Sequence, residues 1–293
     1  MATTITRYVD PDSAGGNGTT TALSGSNAAY ASLNAAMTAE ARNLVTADEI
    51  AEFICMSSHA NHTADTVLVN QSSGWTTDAT RYVDIKTDAA SHHAGVWSDT
   101  KYRIVVNADP DADPGVVQLS FPYGRSTGIQ VKNTWTGAGN PKAAYFGYGT
   151  SGHWRVSKNI LVGGSGANIV NSGGYFFNNI LYYFSGATRG TGVIRGNGGS
   201  WQVYNNTAVD FHLDIIMGMT VVRRRLILST TLAKETRPIS KRVGVGLRAL
   251  DTTPQVMARL RERIPERAKH SLSRPVQTII ISLLMTRGQG IMV

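Results

Sequence analysis

Short strand-like runs of apolar residues recur along the first half of the chain, at 52–56, 66–69, 81–86, 102–107, 116–119 and 128–132. Their length and composition predict strands. Gly, Asn, Asp, Ser and Pro separate the runs, as turn chemistry requires. Residues 7–18 read as another short strand running into a glycine-rich turn. One segment breaks the pattern. Residues 30–44 carry Leu33, Ala36, Met37 and Leu44 at helical spacing behind Ser32, a plausible N-cap, and predict one short helix. Strands this short are stable only with neighbours on both sides, so the chain must stack them.

An internal repeat indicates how. Trp154-Arg-Val-Ser-Lys-Asn159, Gly174-Tyr-Phe-Phe-Asn-Asn179 and Trp201-Gln-Val-Tyr-Asn-Asn206 align on Asn159, Asn179 and Asn206, with spacings of 20 and 27 residues. Unequal repeats suit a solenoid whose turns vary in length better than a β-sandwich, the alternative for short strands with polar turns. Each turn would bury Val, Ile, Phe and Leu, while the three asparagines stack and bond side chain to side chain. Gly163, Gly164, Gly166, Gly173 and Gly174 would supply positive φ at the corners. The expected fold is all-β: a right-handed parallel β-helix over residues 1–209 with a short N-terminal capping helix.

Tyr8-Val-Asp-Pro-Asp-Ser-Ala-Gly-Gly-Asn-Gly18, followed by Tyr30-Ala-Ser-Leu-Asn-Ala-Ala36, resembles the opening strand and capping helix of the pectate-lyase-like superfamily of right-handed parallel β-helix proteins. Gly74-Trp-Thr-Thr-Asp-Ala-Thr-Arg-Tyr-Val-Asp-Ile85 and the asparagine-bearing repeats carry the same resemblance, which covers about residues 7–209. It implies the fold and an extracellular or virion-associated location, and it permits a homo-oligomer. It does not fix an activity, because the same fold hosts lyases, hydrolases, phage tailspikes and adhesins.

Charge divides the chain. Residues 1–209 balance at −1 and residues 210–293 at +9, and Phe211 is the only aromatic after Val209. The basic character therefore belongs to the last quarter, expected to be irregular or partly helical. Two readings of 210–293 stand. Shifted by one base, the codons permitted over 210–221 and 277–293 encode the polar, aromatic and glycine-rich composition of the upstream chain, so the tail reads as a frameshift product. Alternatively it is a genuine basic appendage, with a helix over 253–264 and Arg223, Arg224 and Arg225 available to phosphates. No aromatic is interleaved with those arginines, so nucleic acid is not the expected partner. The apolar run at 279–285 is too short to span a bilayer, and no secretory signal is visible at the N-terminus.

Chemistry narrows the functional classes further. There is no Asp or Glu between Pro114 and Val209, so the later strands cannot supply the paired carboxylates of a glycoside hydrolase or the acidic ligands of a calcium-dependent lyase. Asp109, Asp111 and Asp113 read as a solvated loop. His59, His62, His92 and His93 sit in connections. His153, beside Trp154 and Arg155, is the most site-like histidine, but no partner for it is visible. Cys55, the one cysteine, lies between Ile54 and Met56 and reads as a core thiol; it excludes a disulfide framework and a thiolate zinc cluster. No catalytic residue, metal or cofactor is assigned. Aromatics exceed what a narrow interior can hold, so Trp154, Arg155, Tyr175, Tyr182, Trp201 and Tyr204 are the expected carbohydrate contacts on the surface. The expected function is a structural or adhesion module that contacts a polysaccharide or cell-surface glycan. A polysaccharide lyase or glycoside hydrolase, or nucleic-acid binding through the tail, are the alternatives.

Overall fold

A computed structural model describes residues 1–57, 59–71, 73–109, 115–137, 142–146, 153–163, 165–170, 173–183, 194–209, 216–221 and 226–229. The chain opens with strand β1 (Thr3–Val9), helices α1 (Leu33–Glu40) and α2 (Leu44–Ala47), and strand β2 (Glu49–Cys55). Strands β3 (Val69–Gln71), β4 (Val83–Thr87), β5 (Arg103–Val106), β6 (Val117–Leu119), β7 (Gly124–Thr127), β8 (Gln130–Asn133) and β9 (Lys142–Phe146) follow. Next come β10 (His153–Ser157), β11 (Ile160–Gly163), β12 (Ser165–Val170), β13 (Gly173–Phe177) and β14 (Ile180–Tyr183). The last are β15 (Ile194–Tyr204), β16 (Asn206–Val209), β17 (Ile216–Val221) and β18 (Leu226–Ser229).

Every strand pairing among the described residues is parallel. One sheet of twelve strands contains the run β1-β2-β4-β7-β10-β13-β15-β12-β9-β6-β3, with β17 also paired to β15. A second sheet of six runs β18-β16-β14-β11-β8-β5. Strand β15 joins two rows of the larger sheet: its Ile194–Asn197 half pairs with β12, and its Trp201–Tyr204 half pairs with β13. Parallel pairing thus continues past Val209, through β17 and β18. By its internal contacts the chain divides into Met1–Ser229 and Thr230–Val293. The second unit, the helix expected at 253–264 and Arg223, Arg224 and Arg225 lie outside the described residues. No helix among the described residues is long and apolar enough to cross a membrane.

The single helix expected at 30–44 is two. Ser32 caps α1 as its sequence suggests, its Oγ accepting from Ala35 N at 3.1 Å, and Leu33, Ala36 and Met37 are buried. The helix then stops at Ala41, and Asn43 restarts it by accepting from Thr46 N at 3.0 Å. An asparagine whose side chain satisfies the next turn's amides favours a cap over a helix interior. Beneath α1, the buried Asp65 carboxylate accepts from Leu33 N at 2.8 Å and from the Tyr102 hydroxyl at 3.1 Å.

Trp154 and Trp201 require a correction. Both were expected on the surface, yet both are 0 % exposed. Register explains why. Ala51, Val83, Gly124, Trp154, Gly174 and Trp201 form one column across β2, β4, β7, β10, β13 and β15, and the column faces the core. The glycines make room for the indole and its backbone: a Cβ on Gly124 would lie 2.3 Å from Trp154 Cη2, and one on Gly174 would lie 2.0 Å from Trp154 O. Gly174 also has φ of 146°, a conformation L side chains rarely adopt. Trp154 Nε1 donates to Phe121 O at 2.8 Å, so the indole is buried without an orphaned donor.

The asparagines do stack, but with different partners than expected. Ile129 N donates to Asn159 Oδ1 at 3.1 Å, Asn159 N to Asn179 Oδ1 at 3.0 Å, and Asn179 N to Asn206 Oδ1 at 2.9 Å. Their Nδ2 groups donate to Ser126 O, Val156 O and Phe176 O. Only one bond, Asn179 Nδ2 to Asn206 Oδ1 at 3.0 Å, joins two side chains of the stack. The reason is the corner before each asparagine, where Lys158, Asn178 and Asn205 hold φ near 55°. Gly128, with φ of 81°, precedes Ile129 in the same way. Those corners break the ladder, and the buried amides that follow need acceptors. The carboxamide oxygens supply them.

Candidate functional site

Where inward positions of the first rows build the core, outward positions build a cleft. In β2, Ala51, Phe53 and Cys55 are buried and Glu52 lies between them; in β4, Val83 and Ile85 are buried and Asp84 lies between. Parallel register then places Glu52, Asp84, Arg125, Arg155, Tyr175 and Gln202 side by side on successive strands. Around the middle of this column lies a surface cleft of about 340 Å³, lined chiefly by Tyr82, Tyr123, Arg125, His153, Arg155 and Tyr175.

Its charges are unevenly committed. Glu52 is paired with Lys86 and accepts from Thr6 Oγ1 at 3.0 Å. Arg125 lies over the Tyr82 ring, its Cζ 3.8 Å from the centroid, a cation–π arrangement that fixes the guanidinium. Asp84 is half-buried and accepts no hydrogen bond from the described residues. Burial pushes its carboxyl above the usual range; Lys86 and Arg125 pull it down, and Glu52 pushes it up. Arg155 is exposed, with its Cζ 5.8 Å from the Tyr175 centroid, and has no carboxylate partner among the described residues. His153 is exposed at the edge, its ring 6.3 Å from that of Tyr123. The cleft thus offers aromatic faces, two arginines and an adjacent pair of carboxyl groups, one of them ion-paired.

Of the residues expected from sequence, Arg155 and Tyr175 meet in this cleft. Tyr204 is half-buried two positions further along β15 and stacks on Phe177, with centroids 5.1 Å apart and planes 9° from parallel. Tyr182 is in the six-stranded sheet, in register with Val162 and Val209, and does not join them. Trp154 and Trp201 are in the core. Glu52, Asp84, Tyr82, Tyr123 and Arg125 were missed. Both acids fall on expected strands, at 52–56 and 81–86, but were not expected to share a face; Ala-Glu-Phe and Val-Asp-Ile each flank an acid with apolar neighbours, the pattern of an outward strand position.

The remaining titratable groups are structural or lie elsewhere. His93 is buried; its Nε2 is 2.7 Å from Lys158 O, and Gly95 N donates to its Nδ1 at 3.1 Å, so it fastens a loop to a corner. His59 Nδ1 is 2.8 Å from Asp10 Oδ2, and His62 Nδ1 is 3.1 Å from Ser57 O. Cys55 is fully buried, and burial raises its thiol far above the ordinary value. Asp111 and Asp113 lie outside the described residues. Among the described residues no group of three or more His, Cys, Asp or Glu could hold a metal ion. A second depression of about 540 Å³ lies beside Trp97, Asp99 and Arg103. Its polar groups bind one another: Arg103 Nε is 3.4 Å from Asp99, and Trp97 Nε1 donates to the same carboxylate at 3.0 Å.

Set against protein-family models, curated proteins and solved structures, the chain matches none of them. The residues of the cleft must carry the functional argument by themselves.

Proposed function

We propose that the chain is a right-handed parallel β-helix of the pectate-lyase-like kind, and that the outward face of its first strands binds a glycan. Two features support the solenoid reading. From β9 onward the chain visits the β9–β12 row, the β10–β13 row and the six-stranded sheet in the same order, turn after turn. The asparagine ladder also marks the same corner three times. Parallel connections of this kind are right-handed with few exceptions.

The observation that carries the binding reading is the cleft itself, where Tyr82, Tyr123 and Tyr175 surround two guanidinium groups. Sugar rings present apolar C–H faces and hydroxyl edges, which suit aromatic faces flanked by charged donors and acceptors. A ligand running across the strands also meets a new outward side chain about every 4.8 Å, so successive rings of a polymer would find successive residues of one column. Screening the full chain on an array of neutral and acidic polysaccharides tests this reading: retention of at least one class is expected, and no retention on any spot would sink it.

One observation favours the alternative of a lyase or hydrolase. Asp84, whose carboxyl burial pushes above the usual range, is the register neighbour of Glu52, which is ion-paired with Lys86, and two carboxyl groups side by side in different surroundings are what general acid–base catalysis uses. Release of reducing ends, or ultraviolet absorbance from new double bonds, during incubation with the retained polymer would establish turnover. Neither signal would leave a binding module.

A further inference from the structure

Across the outer face of the six-stranded sheet runs a loop whose middle is held by one histidine. Both of its ends are pinned by groups that do not titrate. Ser91 Oγ accepts from Ser57 N at 2.8 Å, and Tyr102 N donates to Ser91 O at 3.3 Å. At the other end Ser98 N donates to Gln130 Oε1 at 2.7 Å, and Gln130 Nε2 donates back to Ser98 O at 2.9 Å. Between these anchors the loop crosses three register neighbours, Gln130, Ile160 and Ile180. A Cβ on Gly95 would lie 3.9 Å from Ile180 Cδ1. Ile160, between that contact and Gln130, is 0 % exposed, although the next residue, Leu161, is the one that joins the core cluster. Among the described residues, the 2.7 Å bond from His93 Nε2 to Lys158 O is the only hydrogen bond that ties residues 92–97 to a part of the chain beyond the loop.

That seat admits one state of the ring. Gly95 N donates to Nδ1 at 3.1 Å, so Nδ1 carries no proton and it is Nε2–H that donates to Lys158 O, the pattern of a neutral imidazole. We infer that residues 92–97 are an acid-released strap: a proton added at His93 Nδ1 sets two donors against each other at Gly95 N, the ring leaves its seat for water, and the freed segment uncovers Ile160 and Ile180. Among the described residues no carboxylate is placed to offset the added charge. His92, its ring 4.7 Å from that of His93, and Lys158 at the corner add only positive charge. Within the loop, Asp88 accepts from Ser91 N, Asp99 accepts from Trp97 Nε1 and pairs with Arg103, and Lys101 donates to Ala90 O. Residues 127–130, Ile160 and Ile180 carry no titratable group. Burial above all, with His92 behind it, already holds the His93 imidazole below its ordinary value, against the opposing bond to Lys158 O. A released ring titrates at the ordinary value of about 6.5. Opening is therefore rare above that value and grows by up to about tenfold per pH unit as pH falls from there to the lowered one. The strap crosses the six-stranded sheet and the cleft lies on the larger one, so its release is independent of what the cleft binds.

Hydrogen exchange of the full chain at about pH 7.5 and about pH 5, each normalised to the intrinsic exchange rate at that pH, tests the strap. In the wild type the Gly95 amide should lose about tenfold of its protection at the lower pH, while the amides of Asn159 and Asn179 keep theirs. His93→Gln, whose carboxamide offers an acceptor and a donor but does not titrate, should keep Gly95 protected at both values. His93→Ala should leave it open at both. Equal protection of wild-type Gly95 at the two values, a pH response that survives His93→Gln, or protection lost at Asn159 and Asn179 together with Gly95 would each overturn the inference. A second readout needs no variant. Exchange of the histidine C2 hydrogen in the wild type follows the titration of His93 itself: a midpoint below the ordinary histidine value is expected, and one at or above it overturns the strap.

Discussion

The buried corner and the open cleft are built from polar residues of neighbouring segments, yet they treat those residues in opposite ways. At the corner, Asn159, Asn179 and Asn206 are 0 to 1 % exposed, and each carboxamide both accepts from and donates to named partners. In the cleft, Asp84 accepts no hydrogen bond among the described residues and Arg155 has no ionic partner there. A buried polar group must be satisfied by the protein itself, because no water replaces the lost bond. A half-exposed one can stay unmatched and await a ligand. Satisfaction marks the structural column, and its absence marks the column proposed to bind.

The strongest way to break that comparison is to empty the corner. Asn179→Ala removes the acceptor for Asn159 N and the donor for Val156 O, both buried. Each orphaned group costs about 1–3 kcal/mol, so a loss of roughly 3 kcal/mol in unfolding free energy is expected, read by denaturant titration. Binding to any ligand of the cleft should be unchanged in molecules that remain folded. A loss under about 1 kcal/mol would mean that water or a shifted backbone replaces the carboxamide.

How much of this was readable beforehand differs between the two regions. The asparagine register was legible because three copies share one local pattern, and the pairings Ile160↔Ile180 and Ile180↔Thr207 follow from it. The bonding was not, since it depends on positive φ at Lys158, Asn178 and Asn205; asparagine adopts that conformation more readily than most residues, but the lysine gave no warning of it. The tryptophans misled because their abundance was weighed without their strand phase. Trp154 alternates with Val156 on the buried side, and Gly124 and Gly174, each three strands away along the chain, make its space. The cleft was half legible. Arg155 and Tyr175 fall on repeats and could be aligned, whereas Glu52 and Asp84 precede the recognisable repeats and join the column only through β2–β4–β7 pairing. Long-range register decides which residues become neighbours, and no local window contains it.

A pair of substitutions sharpens the same contrast. Trp154→Phe loses the bond to Phe121 O and leaves a void beside Gly124, which should cost roughly 2 kcal/mol of stability and leave ligand affinity intact. Tyr175→Ala, at a side chain 37 % exposed, should leave stability nearly unchanged and weaken binding of the retained glycan by about tenfold, near the upper end of what one aromatic contact contributes. Thermal unfolding and titration calorimetry on both variants separate the outcomes. If Trp154→Phe weakened binding as much as Tyr175→Ala does, the division between core column and cleft column would fail.

The smallest expected effect concerns pH, and it tests whether Asp84 is set apart as the geometry suggests. Burial raises its carboxyl, so the folded chain keeps this proton after the unfolded chain has lost its own. Below the ordinary carboxylate range both states are protonated and Asp84 contributes nothing. As pH rises from there through the raised value, the unfolded state is favoured and stability falls, after which the penalty is constant. Glu40 works in the opposite sense. Burial pushes its carboxyl up, but the Arg7 and Tyr30 hydrogen bonds prevail and hold it below its usual value. Its contribution is present above that value and is lost as pH falls through the depressed one. Asp65, raised by burial like Asp84, shares the falling limb, although hydrogen bonds from Leu33 N, Val67 N and Tyr102 oppose the rise. Asp84→Asn should therefore flatten the decline of stability on the neutral side of the carboxylate range without abolishing it, and leave the acid limb set by Glu40 in place. An unaltered slope would return Asp84 to the solvated carboxylates, and with it would go the reading of this residue as a general acid.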